Sequence, residues 1–411
     1  MKNGWKTKSL GEVCSFLNRG ISPRYLESGG ICVLNQKCIR DHRVSYEPSR
    51  RHDAQAKKVG SERLIHAGDV LVNSTGTGTL GRVAQLREAP PEPTTVDSHV
   101  TIVRPTPGKF YPEFFGYMLV VIEDAIKEAG EGCGGQTELA RSALAEKFSV
   151  HYPESLPEQQ RIVGILDEAF EGIAIATANA EKNLRNARAL FESHLESVFT
   201  QRGEGWDRVT LETLLERGWI ESHLDGNHGS DYPRKDEFIS EGVPYISANC
   251  LDDERVDMTR AKYLSPSRAA LLRKGIAKDN DVLFAHNATV GPVAILHTDE
   301  EKVILGTSLT YYRCNPKHIL PEYLAHYMRS FGFKSQYLQV MKQSTRNQVP
   351  ITKQREFFHV IPPLDEQKEI VGALDGLFEN GQRLESIYQQ TLAALDELKQ
   401  SLLHQAFSGK L

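Results

Sequence analysis

The sequence predicts an α+β protein in which two similar α/β domains are joined by two long antiparallel coiled-coil helices, with an internal pseudo-twofold repeat. Three observations lead to this fold class. A long helical stretch that begins at Leu156 recurs at Leu364, an offset of 208 residues. Each stretch follows a region of short β-rich runs, and each has apolar residues at heptad spacing. A repeat half the chain long implies two equivalent halves.

The repeat predicts four segments. Between the helices, framework fragments recur with a drifting offset: Asp69-Val70-Leu71 returns as Asp281-Val282-Leu283, and Thr79–Ala84 returns as Thr289–Ala294. Such drift is expected when surface loops change length and core elements do not. The predicted segments are residues 1–155 for the first domain, 156–203 for the first spacer helix, 204–363 for the second domain and 364–411 for the second spacer helix.

Within the first domain, β-rich runs at Ile31–Leu34 and Asp69–Val72 are separated by glycine, proline and serine clusters and predict strands. Helical spacing of apolar residues predicts a helix from Pro112 to about Ala129. Its counterpart in the second domain runs from Pro321 to about Phe333.

The first long helix begins at a capping box, Ser155-Leu156-Pro157-Glu158, and is expected to extend to about Phe199. About 43 residues at ~1.5 Å each predict a rod of roughly 65 Å. An internal antiparallel pair is the simplest arrangement, because a globular domain lies between the two helices in the chain. Packing on two different partners, or a homodimeric coiled coil, is the alternative. The predicted packing residues are Ile162, Leu166, Ala169, Ile173, Ile370, Leu374, Leu377 and Leu384.

Charge is unevenly distributed along the chain. The net charge is −5, yet residues 1–60 carry twelve Lys and Arg against five Asp and Glu. The helical stretches have the opposite balance, four against seven in 156–200 and four against eight in 364–411. This segregation is what a basic nucleic-acid footprint on a neutral protein looks like, although chance clustering on a solvated face gives the same pattern.

Targeting and redox features are those of a cytoplasmic protein. The N-terminus lacks the apolar run of a signal peptide, and no stretch has the roughly 20 apolar residues of a membrane span. The six cysteines are scattered without a C-x-x-C pair, so free thiols are expected.

Motifs of catalysis and of metal binding are missing from the sequence. It contains no Asn/Asp-Pro-Pro-Tyr/Phe tetrapeptide for methylation of a base amino group, no phosphate-binding loop and no H-E-x-x-H. Gly76–Gly81 is glycine-rich, but Arg82 follows where a phosphate loop requires Lys and Ser/Thr. A tight turn explains it better, and such a turn can bring N–H groups to a DNA phosphate.

The paired helix starts, Leu156-Pro157-Glu158-Gln159-Gln160-Arg161-Ile162 and Leu364-Asp365-Glu366-Gln367-Lys368-Glu369-Ile370, resemble those of specificity subunits of type I restriction-modification systems. Gly68–Leu71, Gly81–Ala84 and the C-terminal Gln405–Leu411 add to the resemblance, which covers the whole chain.

The resemblance implies a DNA sequence-specificity subunit without catalytic activity. Each domain would be a target-recognition domain that reads one half of a bipartite site in double-stranded DNA. The helices would fix the gap between the half-sites and dock two modification subunits with adenine-N6 methyltransferase activity, and two motor-nuclease subunits would complete the enzyme. This chain would bind no cofactor, and S-adenosylmethionine, ATP and Mg²⁺ would belong to the partners.

Polar and basic loop residues are the candidates for DNA contact, because Arg and Lys suit guanine edges and phosphates whereas Asn and Gln suit adenine edges. Gln136 and Thr137 resemble the family's glycine-glutamine segment. The full set is Lys37, Arg40, Arg43, Arg50, Arg51, Lys57, Lys58, Thr77, Arg82, Gln136 and Thr137 in the first domain, and Arg234, Lys235, Arg255, Arg260, Lys262, His286, Asn287, Arg346, Asn347 and Gln348 in the second.

Two other classes of function remain open at this point. One is an enzyme, a DNA adenine methyltransferase or nuclease with embedded recognition domains, which predicts the missing catalytic motifs. The other is a coiled-coil scaffold without a DNA role, which predicts no binding to a split site.

Overall fold

A computed structural model shows two compact units, which are described separately. The first unit comprises Met1–Ala180 and Gln390–Leu411, and the second comprises Glu181–Gln389. We refer to the β-rich part of each unit as its domain. The structure describes residues 4–411 except 134–135, 201–202, 204, 228, 230–231, 253–254 and 344–346, and it does not describe the side chains of residues 131–133 and 136–137.

The strands of the first domain are short and mostly antiparallel. They are β1 (Trp5–Ser9), β2 (Cys14–Arg19), β3 (Tyr25–Leu26), β4 (Ile31–Leu34), β5 (Ile39–Arg40), β6 (Arg43–Val44), β7 (Arg50–His52), β8 (Val70–Asn73), β9 (Val83–Gln85), β10 (Thr94–Val96), β11 (Val100–Pro105), β12 (Glu131–Cys133), β13 (Gln136–Glu138) and β14 (Ser149–Pro153).

One sheet has the order β2-β11-β8-β9 and is antiparallel throughout, and another has the order β10-β4-β7-β3 with β10 and β4 parallel. The pairs β1–β14, β5–β6 and β12–β13 accompany them. The helices of this domain are α1 (Leu10–Val13), α2 (Pro112–Val121), α3 (Glu123–Glu128) and α4 (Arg141–Glu146), followed by the long helix α5 (Leu156–Thr200).

The second domain repeats this plan. Its strands are β15 (Asp207–Thr210), β16 (Ile220–Asp225), β17 (Phe238–Ile239), β18 (Val243–Ile246), β19 (Leu251–Asp252), β20 (Arg255–Val256), β21 (Lys262–Leu264), β22 (Ile276–Ala277), β23 (Val282–Asn287), β24 (Thr289–Ile295), β25 (Val303–Leu305), β26 (Leu309–Cys314) and β27 (Phe358–Ile361). Its helices are α6 (Leu211–Glu216), α7 (Pro266–Ala270), α8 (Pro321–Arg329), α9 (Phe331–Lys342) and α10 (Ile351–Gln354), followed by the long helix α11 (Leu364–Phe407).

Sheet topology confirms the repeat. The sheet β16-β26-β23-β24-β20-β19 contains the order of the first domain's β2-β11-β8-β9, and β15–β27 corresponds to β1–β14. The sheet β17-β21-β18-β25-β22 contains a parallel pair, β18 with β25, as the first domain has β4 with β10. The predicted α+β class with two similar domains is therefore confirmed.

A buried ion pair occupies the same place in both domains and explains the repeated Asp-Val-Leu motif. Arg104 on β11 donates from Nε and Nη2 to the Asp69 carboxylate, both at 2.7 Å. Arg313 on β26 does the same to Asp281, at 2.9 and 2.7 Å. The Asp281 side chain is 1% exposed and burial raises its pKa, while the Arg313 guanidinium opposes that rise. The bidentate geometry ties the strand that follows each aspartate to its neighbour.

A buried glutamine explains the repeated helix starts. Gln159 Oε1 accepts from the Tyr111 N–H at 2.8 Å, and its Nε2 donates to Pro153 O at 2.8 Å. In the second long helix, Gln367 makes the same bonds with Leu320 and Pro362, each at 2.9 Å. Tyr111 and Leu320 immediately precede α2 and α8, so each glutamine fixes its long helix to the N-terminal end of a domain helix.

In the first unit, the start of α5 packs against the end of α11. Arg161 Nη2 donates to Leu411 O at 3.1 Å, and Lys399 Nζ lies 5.7 Å from the centre of the Phe170 ring. Ile162 and Leu166 share the domain's apolar core with Leu403, Ala406 and Phe407. Residue numbers rise along one helix as they fall along the other, so the two are antiparallel.

The second unit contains the complementary halves of the same helices. The Phe191 and Phe378 rings lie 5.4 Å apart, and Arg188 pairs with Glu385 at 3.0 Å. These contacts are again antiparallel. Leu195, Phe199, Ile370 and Leu374 belong to one core cluster of this unit.

One predicted packing residue, Leu384, does not lie between the long helices. Leu384 is 39% exposed, because the packed seam runs through Phe378 and Glu385 in this part of α11. A helix of 3.6 residues per turn drifts away from a strict heptad, so a seam read at fixed spacing slips by one position. Ile162, Leu166, Ile370 and Leu374 are buried, whereas Ala169, Ile173 and Leu377 are half-buried.

The two shorter helices predicted from the sequence, one in each domain, are each interrupted in the structure. The helix predicted from Pro112 to Ala129 is divided at Ile122, whose φ of −95° and ψ of 5° leave the helical region. The helix predicted from Pro321 to Phe333 ends before Ser330, which is extended and whose Oγ donates to Tyr327 O at 2.7 Å. Both breaks turn the chain rather than end the helical region, since α3 and α9 follow at once.

Candidate nucleic-acid interface

The glycine turn, Ser74–Arg82, lies at one end of the sheet β2-β11-β8-β9. Gly76, Gly78 and Gly81 have φ of 104°, 76° and 82°, a region that side-chain-bearing residues rarely adopt. A Cβ on Gly81 would lie 2.9 Å from the backbone nitrogen of Lys127. The glycines are therefore required by the shape of the turn, and the interpretation of this segment as a tight turn is confirmed.

Gln36 holds the glycine turn from the side. Its Nε2 donates to Thr75 O at 2.8 Å and also to Thr75 Oγ1, while its Oε1 accepts from Thr79 Oγ1 at 3.3 Å. Thr75 Oγ1 in turn lies 2.7 Å from His99 Nδ1. Polar side chains from three separate parts of the chain are thus joined at this end of the sheet.

Strand β13 borders the same turn. Its last residue, Glu138, forms a β-bridge with Thr75 and an ion pair with Arg19 at 2.7 Å. Gln136 and Thr137 lie on this strand. Their side chains lie outside the described part of the chain, so the structure places only their main chain beside the turn. We call Gln36, Lys37, Thr75, Thr77, His99 and β13 the first sheet-end surface.

The candidates of the first domain fall into two groups. Lys37 and Thr77 are exposed on the first sheet-end surface, while Arg40 and Arg82 line a cleft beside it. Arg43 on β6 is paired with Arg40 on β5. The others lie on or after β7, in the sheet β10-β4-β7-β3: Arg50, Arg51, Lys57 and Lys58.

Several of these cations have partners within the fold. Arg51 pairs with Glu92 at 2.7 Å, and the hydrogen bond that Arg51 donates to this carboxylate raises the pKa of Arg51. Arg50 lies 4.8 Å from the centre of the Tyr25 ring, and Lys57 Nζ donates to Ser22 O at 2.9 Å. Arg82 Nη2 donates to Gly78 O at 3.0 Å, so it supports the glycine turn.

The cleft beside the glycine turn has a volume of about 650 Å³ and is lined by both signs of charge. Arg40, Arg82 and Lys399 face Glu123 and Asp396 across it. Burial opposes ionisation of Glu123, but hydrogen bonds from His42 and Lys127 outweigh it and lower its pKa. The cleft is therefore a polar, internally paired recess rather than an apolar ligand pocket.

The second domain presents a shorter turn at the corresponding place. Strands β23 and β24 are joined by Ala288 alone, whose φ is 64°. The Ala288 N–H donates to Asn347 O at 3.0 Å, and Asn347 Nδ2 donates back to Ala288 O. Asn287 forms a β-bridge with Gln348. The structure thus brings Asn287 together with Asn347 and Gln348, which lie much later in the sequence. We call Asn249, Asn287, Ser308, Asn347 and Gln348 the second sheet-end surface.

His286 does not belong to that surface. Its side chain is 2% exposed, and Nδ1 lies 2.9 Å from Val349 O. Burial lowers the pKa of His286, which keeps the ring neutral near pH 7. The structure therefore does not place His286, predicted to contact DNA, on the second sheet-end surface, because its position on β23 directs the side chain into the core.

The basic candidates of the second domain are distributed over its surface. Arg234, Lys235 and Arg255 are exposed. Lys262 is also exposed, with Nζ 4.8 Å from the centre of the Phe238 ring, whereas Arg260 pairs with Asp257 at 2.9 Å. Arg346 lies outside the described residues.

A buried polar network lies under the second sheet-end surface. Gln354 Oε1 accepts from Thr310 Oγ1 and from the Tyr312 hydroxyl, both at 3.0 Å, and lies 3.1 Å from His223 Nε2. Burial lowers the pKa of His223 to about 3 and that of His359 to about 4. These rings are neutral in the folded protein, so the network adds polarity beneath the surface without adding charge.

Neither domain offers an obvious metal site. Among the described residues there is no group of three or more His, Cys, Asp or Glu side chains that could hold a metal ion. The described helices also include none long and apolar enough to cross a membrane. Cys14, Cys32, Cys38, Cys250 and Cys314 are free thiols.

Comparison with known families decides among the open alternatives. A family model described as "Type I restriction modification DNA specificity domain" matches residues 2–184 and 224–390. The chain belongs to this family of specificity subunits. One matched range lies in each half of the internal repeat, and the resemblance of the paired helix starts is confirmed.

Individual relatives agree with the family. The type I restriction enzyme EcoBI specificity subunit of Escherichia coli is 22% identical over 337 residues, which cover 78% of this chain and 70% of the relative. A putative type I restriction enzyme MjaX specificity subunit of Methanocaldococcus jannaschii is 27% identical over 211 residues, 50% of this chain and 46% of that one.

Solved structures share the fold over the whole chain. A chain from a study of complex assembly and conformational transition of the type I R-M system has a TM-score of 0.79 at 19% identity, with 100% of this chain and 99% of that chain covered. The HsdS subunit from Thermoanaerobacter tengcongensis has a TM-score of 0.62 at 20% identity, with 100% and 98% covered.

Sequence reasoning missed several residues of this specificity subunit's sheet-end surfaces. Gln36 and His99 in the first domain, and Asn249 and Ser308 in the second, were not among the candidates. Strand order could have indicated His99 and Ser308. These residues immediately precede β11 and β26, which pair with β8 and β23, the strands that lead into the two turns. Single polar residues of this kind have no motif of their own.

Proposed function

We propose that this specificity subunit reads a split DNA sequence and performs no catalysis itself. Residues 1–155 and 204–363 would be the two target-recognition domains, and 156–203 and 364–411 the spacer helices. One observation carries the proposal: the two domains repeat the same framework but present different side chains at the same sheet end. Readers of two different half-sites need this combination of a fixed scaffold and variable contacts.

The two sheet-end surfaces suit different base edges. The first offers Lys37 and the glycine turn with Thr77, a cation and backbone groups that suit guanine edges and phosphates. The second offers Asn287 and Gln348, whose amides suit adenine edges. We propose that Arg40, Arg43, Arg234, Lys235 and Arg255 add phosphate contacts, whereas Arg51 and Arg260 serve mainly their internal ion pairs.

The long helices are proposed to set the gap and to dock protein partners. They carry exposed apolar side chains, Ile175 and Leu190 on α5 and Ile387 and Leu398 on α11. Both helices are also acidic, which disfavours DNA on their outer faces. Two modification subunits would bind there with S-adenosylmethionine, and two motor-nuclease subunits would add ATP- and Mg²⁺-dependent cleavage.

Methylome sequencing tests the proposal. The chain is co-expressed with the modification subunit of its own system in cells that lack other methyltransferases. We expect N6-methyladenine in a two-part motif with a fixed gap. The matched control expresses the modification subunit alone, and methylation that persists unchanged there would refute the proposal.

Lengthening the spacer tests the ruler separately. Insertion of four helical residues after Ala180, with four compensating residues in α11, adds about 6 Å to the pair. We expect the preferred gap to widen by about two base pairs at 3.4 Å each. Replacement of four existing residues without a change of length is the control, and an unchanged gap in the longer variant would contradict the ruler.

A further inference from the structure

We infer that Gln36 and Asn347 are positioning residues, each of which fixes the shape of the turn that its domain presents to DNA. The inference rests on the proposed function and deepens it. Asn347 was expected from the sequence to contact DNA directly, and Gln36 was not expected to contribute at all. The structure assigns both the same task by different routes.

In the first domain, Gln36 adds to the hydrogen bonds that the glycine turn makes within itself, such as the bond from Leu80 N–H to Gly76 O at 3.0 Å. Thr77 lies between Gly76 and Gly78, both with positive φ, and glycine leaves the backbone the widest choice of conformations. Gln36 restrains this segment through Thr75 O, Thr75 Oγ1 and Thr79 Oγ1. A Cβ on Gly76 would lie 2.9 Å from Gln36 Oε1, so the glutamine side chain lies directly against the turn.

The second domain has no equivalent of Gln36. The short 3₁₀ helices Gln36–Cys38 and Ala248–Cys250 occupy the same place after β4 and β18, and the residue corresponding to Gln36 is Ala248. An alanine cannot hydrogen-bond the turn through its side chain. Asn347 supplies the restraint instead, from a segment that follows α9, with its side chain and its main chain both bonded to Ala288.

Both restraints are consistent with a role in specificity rather than in affinity. Base edges are distinguished by hydrogen bonds whose donor–acceptor distances fall within 2.7–3.2 Å, about half an ångström of tolerance. Phosphate contacts by long lysine and arginine side chains tolerate more movement. Release of either turn is therefore expected to weaken discrimination between bases in one half-site and to leave the other half-site unaffected.

The test uses the complete complex of this chain with its modification subunits. Initial rates of methylation are measured on the cognate duplex and on duplexes with single-base changes in each half-site. Gln36→Met keeps the volume of the side chain and removes its three hydrogen bonds. Asn347→Leu keeps the volume in the second domain and removes the side-chain bond to Ala288 O, while the main-chain bond from Ala288 N–H remains. Since a mismatched base pair costs about 1–3 kcal/mol, we expect each variant to lower discrimination about tenfold in one half-site only, a different one for each variant.

Two control variants and a check of folding make the result decisive. Gln55→Met, the same change at an exposed loop position of the first domain, should leave discrimination in both half-sites intact. Thr79→Val removes the bond to Gln36 Oε1 and the bond from Thr79 Oγ1 to Thr75 O, while Gln36 keeps its own bonds to Thr75. It should give a smaller loss in the half-site affected by Gln36→Met. It therefore substitutes for that variant if Gln36→Met fails to fold, which is checked by thermal unfolding.

Two results would overturn the inference. Discrimination that survives in both half-sites, or that falls equally in both, would show that Gln36 and Asn347 do not position their own turns. A wild-type complex without any bipartite preference would overturn the proposed function as well, and the wild-type measurement alone distinguishes that outcome.

Discussion

Tyr312 in the second domain corresponds to Val103 in the first, because each immediately precedes the arginine of the buried ion pair. Their cross-strand partners are His223 and Leu17. The same position of the same sheet thus carries an imidazole in one domain and an aliphatic side chain in the other.

This difference extends through the whole layer beneath the sheet-end surfaces. His286 follows Asp281 at the same distance in the sequence as Ser74 follows Asp69, so His286 corresponds to Ser74. The strand pair β15–β27 corresponds to β1–β14, and its register places His359 where the first domain has Val150. Gln354 corresponds to Leu144, because the N–H of each donates to the carbonyl oxygen of the residue that precedes its short helix. The acceptor is Pro350 O for Gln354 and Ala140 O for Leu144. The matched sets are His223, His286, His359 and Gln354 in the second domain, and Leu17, Ser74, Val150 and Leu144 in the first.

The two domains therefore share a framework but fill it with different chemistry. An apolar layer gains stability from burial, which does not depend on pH near neutrality. A layer of buried neutral histidines is stable only while the rings remain uncharged. The repeated ion pair and the repeated glutamine therefore specify the fold of both domains, and this fold tolerates a polar interior in the second domain.

The largest effect is expected from the shared framework. Asp69→Ala leaves Arg104 without its carboxylate, and Asp281→Ala does the same to Arg313. Loss of one partner of a buried pair should lower the free energy of unfolding by about 4 kcal/mol in the domain concerned. Urea unfolding, followed by a short hydrogen-exchange pulse and peptide mass spectrometry, reports on each domain separately. If either variant left its own domain unchanged, the ion pair would not be a common framework.

Acidification should separate the two domains next. His223 and His359 have folded-state pKa values of about 3 and about 4, below the unfolded value of ~6.5. The unfolded state therefore binds more protons, so stability is complete above pH 6.5 and is lost as the pH falls towards 4. Between pH 7 and pH 5.5 the second domain should lose roughly 3 kcal/mol more than the first.

The same domain-resolved unfolding measures this loss, with the exchange pulse applied at one common pH. His359→Val, which copies the first domain's Val150, is the matched variant and should remove about half of the difference. Equal shifts of the two domains on acidification would refute a role for the buried histidines.

The elements that repeat could be predicted from the sequence, because repetition supplies a second observation of every constraint. Both long helices begin and end within one residue of the expected positions, and the Asp-Val-Leu motif marks a strand in each domain. The physical reason for the motif, a pair with an arginine some 30 residues further on, was not visible, since arginine carries no periodic signal.

Features that differ between the copies could not be predicted in this way. Gln36 acts through the fold, which brings it against a turn nearly 40 residues later, and His286 appears as a polar candidate until strand alternation directs it inward. The prediction for Leu384 was wrong for another reason, because a heptad count assigns a face from spacing alone, and the residue that contacts α5 here is Glu385, one position further along the helix.

The glutamines at the helix starts offer a smaller test of the shared framework. Gln159→Leu and Gln367→Leu keep most of the buried volume but leave the N–H of Tyr111 or Leu320 without its acceptor. An unsatisfied buried donor costs about 2 kcal/mol, so each variant should lower the stability of its own domain by that amount. Hydrogen exchange of the first turn of α2 or α8 should also accelerate. Gln160→Leu and Gln382→Leu, the same change at exposed positions of α5 and α11, are the controls. Equal losses in both domains from one variant would contradict separate anchoring.

The smallest effect concerns a contact where the copies of the long helices differ. Phe170 and Phe378 correspond, and so do their partners Lys399 and Phe191, so a cation–ring contact at 5.7 Å in the first unit replaces a ring–ring contact at 5.4 Å in the second. Lys399→Phe should install the aromatic pair in the first unit. We expect a gain of about 0.5 kcal/mol, since aromatic pairs add ~0.5–1.5 kcal/mol beyond their buried area and the cation–ring contact that is lost contributes ~0.5–1 kcal/mol. Thermal unfolding monitored by exchange in residues 390–407 measures the gain, with Lys399→Ala expected to give a loss. A destabilised Lys399→Phe variant would show that the first unit leaves no room for a second ring, and that the two halves of the repeat differ in packing as well as in charge.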